Sequence, residues 1–162
     1  MEYLIAMFVG MYASAEKITI GDFVKRLHDD NQIEISLGRM AIEKGQSPKV
    51  KQFGERLVND HTEADSKVLA LAGEEGVDVT LTPSEPSAKG KMKSLATKTK
   101  LSTLKGAAFD KEFAKEMKRG HEKDISFLEN VQVIGHPKAE ALAKELLPEF
   151  KTHHTMAENL EH

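Results

Sequence analysis

Four stretches of the chain place apolar residues three and four positions apart, the repeat of helices with one buried face. The first runs from about Gly21 to Lys44 with a stripe of Phe23, Leu27, Glu34, Leu37, Gly38 and Ala41. Thr19 is placed to cap it, and Asp22 suits the positive end of its dipole. Gly45-Gln46-Ser47-Pro48 then supplies a terminator, an N-cap and a first-turn proline in succession. The second helix, Pro48 to about Gly73, carries Val50, Phe53, Leu57, His61, Ala64, Val68 and Leu71 on one face. The third spans roughly Lys105 to Val131, with Phe113, Met117, His121, Asp124, Leu128 and Val131 in register, and Gly135-His136-Pro137 ends it. The fourth, Lys138 to about Asn159, aligns Leu142, Leu146, Phe150, His153 and Ala157. Its interior Pro148 predicts a kink or a local break. Gly38, Gly54 and Gly120 weaken their helices by about 1 kcal/mol each, which reads as close approach between helices.

Gly76 to Leu104 is irregular. Val77 to Leu81 looks extended, Pro83 and Pro86 bracket a turn, and a short helix from Pro86 to about Thr97 would bury Met92 and Leu95. Lys89, Lys91, Lys93, Lys98, Lys100 and Lys105 make this stretch basic, read here as a solvated surface. No strand-rich region occurs. The predicted fold is all-α: a four-helix bundle with a short extra helix in the connection between helices two and three.

Each of the four long stripes contains one metal-ligand-type side chain: Glu34, His61, His121 and His153. Such groups are rarely buried without partners. Glu34 lies eleven residues before Gly45 and His61 thirteen after Pro48, so both sit roughly 16–20 Å from that turn. His121 and His153 stand fourteen and sixteen residues from Gly135 and Pro137. Both pairs lie near their helix midpoints, and the levels coincide whichever way the hairpins dock. Three imidazoles and a carboxylate form an N3O donor set suited to zinc, copper(II), iron or cobalt. Asp65, Asp124 and Glu149 each lie one turn from a histidine of this set, as partners that orient it or as additional ligands. The competing reading is a dry polar network that fixes helix register. His28, His136 and His154 share neither level nor face and are read as surface or loop residues.

Composition narrows the function classes. The 162 residues fit one domain; 40% apolar and 30% charged residues are ordinary for a globular protein. A net charge of −3 gives no basic footprint for nucleic acid. Absence of cysteine excludes disulfides, thiolate ligands and a cysteine nucleophile. With no tryptophan and two tyrosines, base-stacking and aromatic-cage functions lack material. Leu4 to Tyr12 is a short apolar run followed by Ala13-Ser14-Ala15, which reads as a secretory signal over residues 1–15, although Glu2 stands where a basic residue is usual. The run is too short to span a bilayer, so the mature chain has no predicted transmembrane span. Residues 16–159 form the bundle domain, and 160–162 read as a tag remnant.

The residues Glu34-Ile35-Ser36-Leu37-Gly38-Arg39-Met40-Ala41 and Phe53-Gly54-Glu55-Arg56-Leu57-Val58-Asn59-Asp60-His61 resemble the exported ferritin-like family catalogued as domain of unknown function 4142. Gly106-Ala107-Ala108-Phe109-Asp110, Gly120-His121-Glu122, and Leu147-Pro148 followed by His153 extend the likeness over about residues 20 to 158. The resemblance implies a ferritin-like bundle in the bacterial envelope, periplasmic or envelope-associated, and no established activity. Di-iron chemistry is disfavoured by the residues themselves: Glu-x-x-His is absent, since Val58, Lys118 and Phe150 stand three before the histidines. No hydrolase triad, phosphate loop or dinucleotide fingerprint is present. Two functions follow: an exported protein that buffers, carries or senses a transition metal at Glu34, His61, His121 and His153, or a non-catalytic structural or interaction bundle whose His/Glu layer only fixes packing.

Overall fold

The computed structural model describes residues 16–80 and 85–161, without the side chains of 85–93. The predicted signal segment 1–15 and His162 lie outside the described residues. The elements are β1 (Glu16–Lys17), α1 (Ile20–Lys44), α2 (Pro48–Glu74), α3 (Glu85–Thr103), α4 (Gly106–Asn130), β2 (Val131–Gln132) and α5 (Pro137–Glu161). The protein is an all-α bundle, and the two strands are a two-residue parallel bridge tying the start of α1 to the end of α4.

The helices begin and end where local chemistry dictates. Thr19 and Ser47 accept the backbone N–H of Asp22 and Lys49 at the starts of α1 and α2. Pro48 occupies the first turn of α2, where its missing N–H leaves no bond unmade. Leu160 packs on the core and Glu161 pairs with Lys118, so α5 continues to Glu161.

Cross-helix contacts fix the topology. Asn31 meets His61 and His28 meets Asp65, so α1 and α2 are antiparallel. Asp60 meets His153 and Lys67 meets Glu145, so α2 and α5 are antiparallel too. Lys118 pairs with Glu158 and Glu129 with Lys151, making α4 and α5 the second hairpin. Helix α3 is therefore a crossover, carrying the chain from the far end of α2 back to the α1–α2 turn. There Lys44 donates to the carbonyl of Leu101, and Asp110 accepts from the backbone of Gln46 and Ser47.

Several expectations need correction. Helix α3 runs to Thr103 rather than Thr97, because Leu101 is buried in the core and keeps the helix going. Leu95 is exposed instead of buried, and the side chain of Met92 lies outside the described residues. Val77 and Val79 pack on the core from a turn, closed by Asp78 accepting from Thr80, rather than from an extended segment. Pro148 does not break α5; Leu146 and Phe150 are buried on either side of it and hold the helix in place.

At one level α1 and α2 nearly touch. A Cβ on Gly38 would lie 2.7 Å from the Gly54 carbonyl oxygen, and one on Gly54 would lie 2.6 Å from that of Gly38. Gly120 is different: a Cβ there would meet only Glu34 Oε1, at 3.5 Å, an ordinary contact.

The core is split in two. One apolar cluster gathers Phe23, Leu27, Val68, Leu71, Phe127, Leu146 and Phe150; the other gathers Leu37, Val50, Phe53, Leu57, Phe109, Phe113 and Met117. Between them lies a polar layer of Asn31, Glu34, His61, His121 and His153, all buried.

Candidate metal centre

Each histidine of this layer sits on its helix stripe between apolar neighbours: His61 between Leu57 and Ala64, His121 between Met117 and Leu128, His153 between Phe150 and Ala157. Burial of the stripe carries the imidazoles inward, and all three are 0% exposed. One ring nitrogen from each lies within 4.8 Å of the corresponding nitrogen of the other two. The ring centroids are 5.2 to 5.7 Å apart. Phe150 stands against His61 and His121, and Phe53 against His153, so aromatic edges and faces close the sides.

The outer nitrogens determine the inner ones. His121 Nδ1 lies 2.9 Å from the Met117 carbonyl oxygen, which only accepts, so this nitrogen carries the hydrogen. His153 Nε2 lies 2.9 Å from Asp60 Oδ2. Against the burial that pushes the Asp60 carboxyl up, hydrogen bonds from His153 and Arg56 hold it below its ordinary range, so it too only accepts. His61 Nδ1 donates to Asn31 Oδ1 at 2.9 Å. His121 Nε2 and His153 Nδ1 then face each other at 3.3 Å as two lone pairs with no proton to share. His61 Nε2 has no hydrogen-bond partner at all.

Protonation would relieve this, but burial opposes it. Burial and the adjacent His153 bring the His121 imidazole down to about 3. Burial, then His121 and His153, hold His61 well below its ordinary value. His153 is lowered by burial in spite of the Asp60 carboxylate. The centre thus presents three neutral nitrogen donors at neutral pH. Nitrogens bound tetrahedrally at about 2.0–2.1 Å from a first-row cation stand about 3.3 Å apart, the observed His121–His153 separation. The donor set fits a transition-metal ion.

Glu34 reaches the same layer from α1 but stands outside the three-histidine cluster. It lies against Gly120, and its buried Oε2 has no hydrogen-bond partner. Burial, then Asp124 and Asp30, push its carboxyl well above the ordinary range, which favours its neutral form. The carboxylates placed one turn from each histidine have other groups around them. Asp65 accepts from His28 and Gln32 on α1, at 2.8 and 2.7 Å, rather than from His61. Asp124 faces Glu34, and the shielded Oε1 of Glu149 has no hydrogen-bond partner. His28, His136 and His154 are half-buried residues paired with Asp65, Glu75 and Glu122.

The groups that orient the centre, Asn31 and Asp60, escape a search along single helices. Asp60 precedes His61 in sequence yet serves His153 on another helix. Counting height from the 45–48 turn, rather than spacing along one stripe, places Asn31 and Asp60 at the level of the histidines.

The sequence matches the family model described as domain of unknown function DUF4142 over residues 11–160. The chain belongs to that family. No curated protein matches it. Among solved structures, a DUF305 fragment from Deinococcus radiodurans superposes with a TM-score of 0.74 at 19% identity, covering 91% of this chain and 97% of that one. CopM in its Cu(II)-bound form gives 0.70 at 15% identity, covering 90% and 97%. A DUF305 protein from Streptomyces coelicolor, titled as a candidate secreted protein, gives 0.70 at 11%, covering 88% and 91%. At these identities the likeness is one of fold. No helix among the described residues is long and apolar enough to cross a membrane.

Proposed function

We propose that this member of the DUF4142 family is an exported transition-metal-binding protein, holding one cation at the inner nitrogens of His61, His121 and His153. The observation that carries the reading is the pair of lone pairs at 3.3 Å, fixed by the Met117 carbonyl and the Asp60 carboxylate. A packing layer gains nothing from opposed acceptors, because buried polar groups stabilise a fold only when satisfied. A cation satisfies all three nitrogens together.

Zinc, copper, iron and cobalt all accept imidazole. Copper is favoured, since a neighbour of the same fold is titled as the Cu(II)-bound form of CopM. Glu34, with its buried and unpaired Oε2, is the carboxylate we assign as a fourth ligand, ionised only when the cation arrives. Asp124 neighbours Glu34 and its charge disfavours the ionised carboxyl until a cation offsets it, while Asp65 and Glu149 stand outside the coordination set. The family's fold, with Ala13-Ser14-Ala15 after an apolar run, supports export and a role in buffering, carrying or sensing metal in the envelope.

The test is elemental analysis of protein purified without a polyhistidine tag or chelating resin. About one equivalent of metal is expected, lost in H121A and H153A variants whose helical circular dichroism is retained. Protein that stays metal-free after exposure to zinc, copper and iron would overturn the reading.

A further inference from the structure

The three histidines are sealed from solvent, so a cation must displace something to reach them. The groups on their outer nitrogens show where. Asn31 and Met117, behind His61 and His121, are each 1% exposed. Asp60, behind His153, is 19% exposed. Of the three ring-to-acceptor bonds, this one alone ends at the surface. Phe53 and Phe150 wall the sides and are themselves buried.

Arg56, one turn before Asp60 on α2, covers this exit. Its Nε donates at 2.6 Å to Oδ2, the same oxygen that accepts from His153. The Arg56 side chain is 51% exposed and free to swing into water. Beside it, Glu149 stands one turn before His153 on α5. Its charge interacts with those of Asp60 and Arg56, and its shielded Oε1 lacks a hydrogen-bond partner.

We infer that the Arg56–Asp60 ion pair is the gate through which metal enters and leaves the centre, an inference resting on the metal-binding reading above. When Arg56 swings out, a divalent cation meets the Asp60 carboxylate bonded to His153 and, interacting with it, that of Glu149. The His153 ring bridges mouth and centre, with Nε2 toward Asp60 and Nδ1 toward His121. As that ring turns aside, the cation passes from carboxylate oxygen to imidazole nitrogen, and Arg56 re-pairs behind it.

The test is stopped-flow mixing of the metal-free full chain with Co(II), read by its visible absorption, and release of bound Co(II) to a chelator. R56A is expected to load and to release about fivefold faster, the factor by which an exposed ion pair holds its partners together. Acceleration in both directions marks a gate; a simple charge effect speeds entry and slows release. R119A removes the same charge two residues from His121, where it pairs with Glu116 rather than Asp60, and is expected to exchange at the wild-type rate. R56K, which can re-form the pair, is expected to restore slow exchange. Wild-type rates in R56A, or equal acceleration in R119A, would overturn the gate while leaving the metal centre standing. Failure of the wild type to bind Co(II) at equilibrium would remove both.

Discussion

His121 Nε2 and His153 Nδ1 stand 3.3 Å apart with the proton of each ring committed to the opposite side. Replacing Asp60 by asparagine should undo this. Oδ2 accepts from both Arg56 and His153, so an amide NH2 turned into that position donates to His153 Nε2 and leaves the half-exposed Arg56 to shift to the amide oxygen or into water. The His153 proton then moves to Nδ1 and bonds to His121. D60N is expected to lose about 10- to 100-fold in metal affinity, the usual effect of removing a carboxylate behind a metal-bound histidine. Its metal-free form should melt no lower than wild type. Chelator-competition titration checks the first expectation and thermal unfolding the second; unchanged affinity would show that the tautomer of His153 is immaterial.

The buried imidazoles make the metal-free protein acid-sensitive. In the unfolded chain each titrates near 6.5, whereas burial and His153 bring folded His121 down to about 3. Between those values the unfolded chain holds a proton that the folded chain lacks. Stability is therefore fully present above about pH 6.5 and falls as pH drops, by about 1.4 kcal/mol per pH unit for each such histidine. Asp30, raised by burial to about 6, takes up a proton in the folded state and offsets part of the loss. Comparison with H121Q cancels that offset. Urea unfolding between pH 7 and 4 should give H121Q the shallower decline, and parallel curves would contradict a neutral buried His121.

Glu34 has the opposite sign. Its folded carboxyl is pushed well above the ordinary range by burial, then by Asp124 and Asp30. The folded state binds its proton before the unfolded state does, so its contribution is present at low pH and lost as pH rises through the folded value. E34Q keeps the neutral shape and removes this loss. Metal-free E34Q is expected to be more stable than wild type at pH 8, with the advantage shrinking toward pH 4.5. With metal present the order should reverse if Glu34 is a ligand. Denaturant midpoints measured with and without Cu(II) decide both points.

The Gly38–Gly54 crossing leaves no room for a methyl group. The nearest atom to a Cβ on Gly54 is a backbone oxygen at 2.6 Å, which cannot yield as a flexible side chain does. G54A should force α1 and α2 apart and destabilise by about 1–3 kcal/mol, in spite of alanine's better helix propensity. G120A, with only an ordinary contact to Glu34 Oε1, should be near neutral or stabilising. Equal effects of the two substitutions in chemical denaturation would contradict the close crossing.

The helices were legible because their ends are punctuated: Ser47-Pro48 starts α2 and Gly135-His136-Pro137 separates α4 from α5. The inward histidines were legible because they replace apolar residues in register, and loop counting gave their common height. The crossover was not, since the order of hairpins depends on contacts such as Asp110 with the 46–47 backbone, which no spacing encodes. The length of α3 hung on Leu101 alone in a run of lysine, serine and threonine. The partners Asn31 and Asp60 were missed for a related reason. Hydrogen-bond partners in a bundle come from the neighbouring helix at the same height, whereas periodicity reports only neighbours on the same helix.

The crossover has a further consequence for how the centre assembles. The α4–α5 hairpin brings His121 and His153 together by itself, but His61 and its Asn31 support belong to the α1–α2 hairpin. Neither half of the molecule owns a complete coordination set. Occupancy of the third nitrogen is therefore a report on whether the two hairpins have docked, and a bound ion would lock that docking in proportion to its free concentration. In a compartment where metal supply varies, binding such an ion would couple the assembly of the chain to that supply.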